Sequence, residues 1–414
     1  MLQSVALVIA TIGTPFQLLL VITFALNAKT QQLKNRVPDL SIFAGGCSLV
    51  QFVISLMLVS KQDLCSISYW IAHLYIPCCS LPLILRSWTV YFAWHYNEAK
   101  LCKAMKLETS AKLNHFYFFN PSYDWFINKS FMMNRKTRHF CLLVFIICHL
   151  LVAFAFYTPS TGECFAFDNI LVFEVLFIVY IVINGFMIKL LFTVSTSLGI
   201  FRELLSSTVC WAIFHAVYFA LRYNNIAWAD SVIAILIFFL NLISFGWPLY
   251  EFTNTKLNLR RQSVTIEQSN EMKSRGRQNT KYMNNNVVLK DCLKDPKGLN
   301  DFKVFLAKEF SVENILFWEK VEHFKNQFND LDQRGREALA NIILDEYIAE
   351  YATSPINVDY KSVKQLREDI RNKKITVGMF DHSQHLLYQL MSTDSYRRFL
   401  LTAAGKRYRF FSVQ

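Results

Sequence analysis

Three polar side chains that could bind a partner lie close together near the C-terminal end of the sequence. Asp394, Ser395 and Arg398 stand among apolar residues in the stretch 390–400. Asp and Ser often cap helix N-termini, where the helix dipole also favours a negative charge, so we expect a helix to begin here. Its polar start could hydrogen-bond a partner, or it could be an ordinary capped helix in solvent. The residues predicted to face a core are Leu390, Met391, Tyr396 and Phe399.

Two further motifs give this stretch a context. Residues 309–318 read Glu-Phe-Ser-Val-Glu-Asn-Ile-Leu-Phe-Trp, and residues 356–359 read Ile-Asn-Val-Asp. Together with 390–400 they resemble the regulator of G-protein signalling (RGS) domain, and the resemblance extends from Leu289 to about Phe411. It implies an all-helical soluble domain that binds the GTP-bound α subunit (Gα) of a heterotrimeric G protein. It also implies a GTPase activator and not an enzyme, because Gα carries the catalysis.

The resemblance assigns a role to eight residues. In the family these positions line one surface that grips the switch regions of Gα. They are Ser311, Glu313, Asn314, Asn357, Leu390, Asp394, Ser395 and Arg398. Phe310 and Val312 depart from the family pattern beside the first motif. Without the resemblance, Asn357 would be interpreted as an Asn that caps a loop.

The apolar spacing from residue 289 onward is helical, with little of the alternation typical of strands. Helices are predicted at 299–310, 312–328, 333–351, 360–373, 381–392 and 394–403. Ser311 is a suitable N-cap for the second helix, and Asp381 with Gln384 resembles a capping box. The second helix can bury one stripe, formed by Ile315, Phe317 or Trp318, Val321, Phe324 and Phe328.

The first 250 residues have a different composition. The chain is 53% hydrophobic with 37 Phe, and apolar runs of 18 or more residues occur repeatedly before residue 250 and not after it. Runs of that length are transmembrane helix candidates. Seven are expected at 4–26, 40–59, 69–94, 139–157, 169–191, 206–223 and 230–250. The predicted fold is therefore all-α: a seven-transmembrane helix bundle (1–250), a cytosolic basic linker (251–288) and an RGS domain (289–414).

The loop charges predict the orientation. With the N-terminus outside, the cytoplasmic segments 27–38, 95–138, 189–205 and 251–290 carry 21 Lys and Arg, and the exterior loops carry 2. Lys and Arg resist translocation, so we expect a multi-pass plasma-membrane protein with a cytosolic RGS domain. The net charge of +12 is concentrated beside the membrane, where it suits anionic headgroups and not nucleic acid. The pair Arg260-Arg261 before Ser263 resembles a basophilic-kinase site; the alternative is a plain basic linker.

The ten Cys residues show no pairs at metal-ligand spacing, so neither a metal nor another cofactor is expected. Cys65 precedes the third predicted span and Cys164 lies in an exterior loop, where a disulfide is chemically permitted. The pair is similar to the bond that ties this loop to the third helix in seven-helix receptors. Two free loop thiols are the alternative.

Ionisable residues inside a membrane are functional candidates. Arg86 follows Pro82-Leu83, a short pattern that resembles the seven-helix RGS proteins of plants; it could also extend to the inner headgroups. Glu174 could line a ligand cavity or pair with Arg222, and we favour pairing. The predicted role of His73, His149 and His215 is hydrogen bonding between helices.

The whole chain thus resembles the receptor-like RGS proteins of plants, fungi and protists. The membrane part would be an anchor for the RGS domain or a sensor for an unknown extracellular ligand. Two alternatives remain. The chain could be a receptor that also promotes nucleotide exchange, although helix three ends 93–98 without an acidic-Arg-Tyr triplet and 247–250 lacks the usual Asn before Pro. It could also be a membrane scaffold whose RGS-like fold binds a partner other than Gα.

Overall fold

The apolar segments of the first 250 residues are all helical in the computed structural model. The helices are α1 (Leu2–Asn27), α2 (Gln31–Lys34), α3 (Pro38–Ser60), α4 (Cys65–Ala104), α5 (Tyr123–Asn128), α6 (Arg135–Ala155), α7 (Phe167–Phe192), α8 (Ile200–Tyr223) and α9 (Ala229–Asn241). A π-helical turn, Leu242–Gly246, continues α9 into α10 (247–254). A helix therefore stands at each of the seven positions expected from the length of the apolar runs.

The structure describes residues 2–34, 36–60, 65–104, 123–157, 167–192, 194, 199–224, 229–254, 256–257, 285–349, 352, 354–358 and 360–410. Cys164 and Ser263 lie outside these residues, as does the side chain of Cys65, so the predicted disulfide and phosphorylation site stay predictions. The chain divides into two compact units, one of residues 1–93 and 129–256 and the other of residues 94–128 and 257–414.

Five described helices of the chain are long and apolar enough to cross a membrane. They are His73–Lys103, Arg135–Ala155, Leu171–Phe192, Ile200–Leu221 and Ile235–Asn254. Their outer faces carry exposed apolar side chains such as Phe154, Val182 and Phe192. Polar side chains lie inside instead: Asn241 Nδ2 donates to Gln17 Oε1 at 2.7 Å, and both residues are buried.

Histidines join helices in the interior of this first unit. His73 Nδ1 lies 3.3 Å from His149 Nε2, and His149 Nδ1 lies 3.2 Å from the Tyr180 hydroxyl. These contacts confirm the predicted bonding of His73 and His149. His215 instead stacks on Phe177 with ring centroids 3.7 Å apart, and its Nδ1 has no hydrogen-bond partner among the described residues.

The second unit contains the C-terminal helical domain. Its helices are α11 (Asn285–Lys294), α12 (Pro296–Lys308), α13 (Val312–Gln327), α14 (Gln333–Ile343), α15 (Tyr360–Arg371), α16 (Asp381–Leu390) and α17 (Tyr396–Phe399). The predicted stripe on α13 is confirmed: Ile315, Phe317, Val321 and Phe324 are fully buried, while Trp318 and Phe328 pack against the same core. A π-helical turn, Leu344–Ile348, extends α14.

Three local predictions in this domain are wrong. Leu390 does not face the core, because it is 43% exposed at the end of α16. No new helix starts at Asp394, because the π-helical turn Met391–Ser395 joins α16 to α17 and Ser395 has helical backbone angles. Gln384 forms no capping box with Asp381, since its side chain turns to α13, where Nε2 donates to Trp318 O and Glu322 Oε1. The capping position of α16 is Phe380, whose side chain can make no such bond.

Candidate functional site

Arg398 organises one end of the C-terminal domain. Its Nε and Nη2 atoms each lie 2.8 Å from the carboxylate of Glu309, its Nη1 binds Asp394, and Nη2 lies 3.5 Å from Ser395 Oγ. Arg398, Glu309 and Ser395 are all buried. Burial works against the charge of Arg398, but the hydrogen bonds and charges of Glu309 and Asp394 outweigh it and raise the pKa of Arg398 above its ordinary value.

The same ion pair holds the chain just before α13, because Glu309 directly follows α12 and only Phe310 and Ser311 separate it from Val312. Phe310 has a φ of 57°, in the left-handed region, and turns the chain sharply between α12 and α13. Ser311 occupies the capping position of α13, as predicted, but its Oγ is buried and makes no hydrogen bond to the described residues. Asn314 is 7% exposed, and Glu313 is half-buried in the first helical turn.

Asn357 lies in a separate segment that hydrogen bonds attach to the end of α14. Ser354 N–H donates to Glu346 O and Ile356 N–H to Tyr347 O, both at 2.9 Å. Burial and the carboxylates of Glu346, Glu319 and Glu313 raise the pKa of Tyr347. Tyr347 also packs on α13, because its ring lies 5.6 Å from that of Phe317. The Asn357 side chain itself is exposed.

The remaining predicted contact residue is Leu390, the last residue of α16, with 43% of its surface exposed. It lies four residues before Asp394 on the same continuous helix, so the two side chains share a face. The side chains that this end of the domain offers to a partner are therefore mixed. Asn357 supplies an amide, Leu390 an apolar contact, and Glu313 and Asp394 carboxylates. Such a surface can bind and position another protein's polar groups.

The residues predicted to have a role in the first unit are not all brought together. Arg86 is buried in an ionic contact: its Nη1 and Nη2 lie 2.8 Å from the two oxygens of Glu203, and its Nε donates to Arg36 O. Arg36 also binds Glu203, at 3.2 Å, and Glu251, at 2.6 Å. Glu174 Oε1 is buried and has no hydrogen-bond partner among the described residues, so it shows no pairing there. The side chain of Arg222 lies outside the described residues.

Sequence reasoning did not identify Glu203, Arg36 or Glu309 as ionic partners. The role of Glu309 could have been predicted from the sequence. It is the first residue of the motif 309–318, and an acidic residue beside a buried helix start needs a cation. The bonds between Arg36 or Arg86 and Glu203 join residues 167 and 117 positions apart. No local pattern in one sequence reveals such a pair.

Comparison with known proteins identifies the C-terminal domain. Residues 288–406 match the family described as regulator of G protein signaling domain. Regulator of G-protein signaling 12 of Mus musculus is 41% identical over 118 residues, which is 28% of this chain and 8% of that protein. Regulator of G-protein signaling 7 of Bos taurus is 36% identical over 115 residues, 28% of this chain and 23% of that protein.

Regulator of G-protein signaling 10 of Homo sapiens is 38% identical over 112 residues, 27% of this chain and 59% of that protein. The chain thus spans less than two thirds of the length of each of these relatives. The family match begins within α11 and extends past α17. It includes all eight predicted contact residues. The C-terminal part of this chain is therefore an RGS domain, homologous to the regulators of G-protein signaling.

Proposed function

We propose that this chain is a membrane-anchored regulator of G-protein signalling whose RGS domain binds GTP-bound Gα and accelerates GTP hydrolysis. The homologous RGS domain is the observation that carries the proposal. Its supporting detail is the end of the domain where the start of α13, the Asn357 segment and the α16–α17 helix present the predicted contacts. The chain itself catalyses no reaction in this account, and it switches signalling off by shortening the life of GTP on Gα.

The physical basis is the organisation of a catalyst that already exists. Gα holds its transition-state arginine in cis, so a partner need not supply one. What a partner can improve is the fixed placement of the switch regions and of the Gln that orients the attacking water. The Asn357 amide suits this task, because it can donate and accept hydrogen bonds and is exposed for a partner to reach.

The first unit is proposed as the anchor in a lipid bilayer. Five described helices are long and apolar enough to cross, their outer faces carry exposed apolar side chains, and several of their polar groups, such as Arg86, Glu203 and Asn241, are buried inside the unit. This distribution is the opposite of that in a water-soluble protein and suits a hydrocarbon solvent. Loop charge favours an exterior N-terminus and a cytosolic RGS domain at the plasma membrane. A sensor role for an extracellular ligand remains part of the proposal.

Single-turnover GTP hydrolysis tests the proposal. The full chain, reconstituted in phospholipid nanodiscs, is added to candidate Gα subunits loaded with GTP, and phosphate release is timed. We expect acceleration that Asn357→Ala removes. Asn329→Ala is the matched control, because Asn329 is an exposed Asn beyond the other end of α13, about 24 Å from its start.

Failure to accelerate hydrolysis on any Gα would favour the scaffold interpretation instead. An increase in GDP release from Gα would favour the receptor interpretation. The two activities are measured on the same samples, so the three interpretations give different results.

A further inference from the structure

The C-terminal end of α4 belongs to the same unit as the RGS domain. Residues 94–104 of this helix are grouped with 257–414, although α4 begins at Cys65. Leu101 is only 8% exposed and is part of the hydrophobic cluster formed by the core of the RGS domain, including Val312, Ile315 and Tyr347. A segment made almost 200 residues earlier in the chain therefore packs into the domain.

The contact lies at the start of α13. The Lys100 ammonium interacts electrostatically with the carboxylates of Glu313 and Glu346. The Lys100 ammonium also lies over the Tyr96 ring, 4.3 Å from its centroid. The Glu313 carboxylate interacts electrostatically with the Tyr96 hydroxyl. Tyr96 is buried. One carboxylate of the predicted partner surface, Glu313, thus already has a cationic and an aromatic neighbour from α4.

The other side of this helical segment is held by α5. The ring of His95 stacks on Phe126 with centroids 4.8 Å apart, and Phe126 is 2% exposed. Asn97 and Ala99 are buried too. The segment is therefore packed on more than one face, which distinguishes it from a helix end that merely touches a surface.

We propose that the end of α4, residues 94–104, covers part of the predicted Gα-binding surface at Glu313 and competes with Gα for it. Ser311 and Asn314, on either side of Val312 and Glu313 in sequence, are 2% and 7% exposed. Gα binding then requires the segment to move from the start of α13. The inference rests on the proposed function, because Glu313 is counted as a contact with Gα.

The test reverses the charge of Lys100. Lys100→Glu replaces attraction to Glu313 and Glu346 by repulsion, so we expect the segment to be displaced. Lys103→Glu is the matched control, since it makes the same change one turn later at an exposed position. In the full chain in nanodiscs, Lys100→Glu should lower the concentration needed for half-maximal GTPase acceleration at least about fivefold, the lower end of ordinary coupling between sites. Lys103→Glu should match the wild type.

Hydrogen–deuterium exchange gives a readout that needs no Gα. Amides of residues 309–316 should exchange faster in Lys100→Glu and unchanged in Lys103→Glu. Adding Glu346→Lys to Lys100→Glu restores an attraction between the two positions and should restore protection. Lys100→Gln, which removes the charge without reversing it, should give an intermediate result and covers the case in which reversal unfolds the domain.

The outcomes separate the two claims. Unchanged exchange at 309–316 in both Lys100 variants overturns the inference, even when the chain accelerates hydrolysis normally. Faster exchange with unchanged potency on an active Gα also overturns it, because the segment then covers nothing that Gα needs. Faster exchange with no acceleration by any variant supports the covering contact and overturns the proposed function.

Discussion

Arg398 and Glu309 form a two-pronged ion pair in the interior of the RGS domain, with both nitrogen–oxygen distances at 2.8 Å. The pair joins the α16–α17 helix to the residue that precedes the turn into α13. Fork-like Arg–carboxylate pairs fix orientation as well as distance. This single contact therefore sets how the two halves of the candidate surface stand relative to each other.

Removing Arg398 should damage the fold. Arg398→Ala leaves the buried carboxylate of Glu309 without its cation, and breaking a buried pair typically costs about 3–5 kcal/mol. We expect the free energy of unfolding in urea to fall by that order, whereas Arg371→Ala, at an exposed Arg of α15, changes it by less than about 0.5 kcal/mol. Arg398 was expected from sequence to act only on Gα, so an unchanged unfolding curve would restore that expectation.

Asn357 and Phe399 should separate binding from stability. Asn357 is exposed, so Asn357→Ala should cost no more than about 1 kcal/mol of stability while it removes GTPase acceleration. Phe399 is fully buried against Phe302 and Phe305, with ring centroids at 5.3 and 5.5 Å. Phe399→Ala should cost about 3–5 kcal/mol. Thermal melting and single-turnover hydrolysis of both variants decide the matter; normal activity in a normally melting Asn357→Ala chain would refute the proposed contact.

Arg86 should hold the first unit together. Arg86→Ala leaves Glu203, which is fully buried, with Arg36 as its cationic partner, so we expect a lower melting temperature in nanodiscs. Arg86→Lys should recover only part of the loss, because an ammonium cannot bind both carboxylate oxygens in the same fork. Arg202→Ala is the control, at an exposed Arg beside Glu203 in sequence. Equal melting temperatures for Arg86→Ala and Arg202→Ala would contradict a structural role.

Cys292 should resist alkylation in the folded domain. Burial, offset in part by the Tyr396 hydroxyl, raises the pKa of the Cys292 thiol to about 12, so at pH 8 almost no thiolate is present. The thiolate is the reactive form, and the sulfur is also buried. Mass spectrometry after iodoacetamide at pH 8 should find Cys292 unmodified without denaturant and modified in urea. Raising the pH without denaturant should increase the rate of Cys292 alkylation, because the thiolate fraction rises.

Cys65 and Cys164 are predicted to form a disulfide on the exterior side. Mass spectrometry of non-reduced peptides from the mature protein should find the two joined. The matched test of orientation is protease protection in sealed vesicles, where a C-terminal tag should be cleaved only from the cytosolic side. Free thiols at both positions would refute the disulfide. The orientation would then be tested by the protease experiment alone.

The features that sequence predicted well depend on neighbours in the chain. The length of an apolar run determined where a long helix had to stand, and the spacing of Ile315, Val321 and Phe324 determined which side of α13 is buried. The motif around Asn357 and Arg398 was recognisable because a family reuses it. Each of these signals can be read within one short stretch.

The features that sequence missed depend on residues far apart or on alternatives of nearly equal energy. The Arg36–Glu203–Arg86 contacts bring together the segment before α3, α4 and α8. The spacing of residues in the sequence does not predict this. Ser395 is a good helix start in isolation, but continuing the helix through a π-helical turn keeps Met391, Tyr396 and Phe399 in the core. Burial of three large side chains outweighs a cap, which is worth about 1 kcal/mol.

The position of Leu101 in the RGS core has a consequence for folding during synthesis of the chain. The ribosome completes residue 104 about 295 residues before it completes α17. At about 5–20 residues per second, that interval lasts roughly 15–60 s. Throughout it, Tyr96, Lys100 and Leu101 exist without the RGS domain with which they are in contact. The core that Leu101 joins can therefore be completed only after α17 has been made.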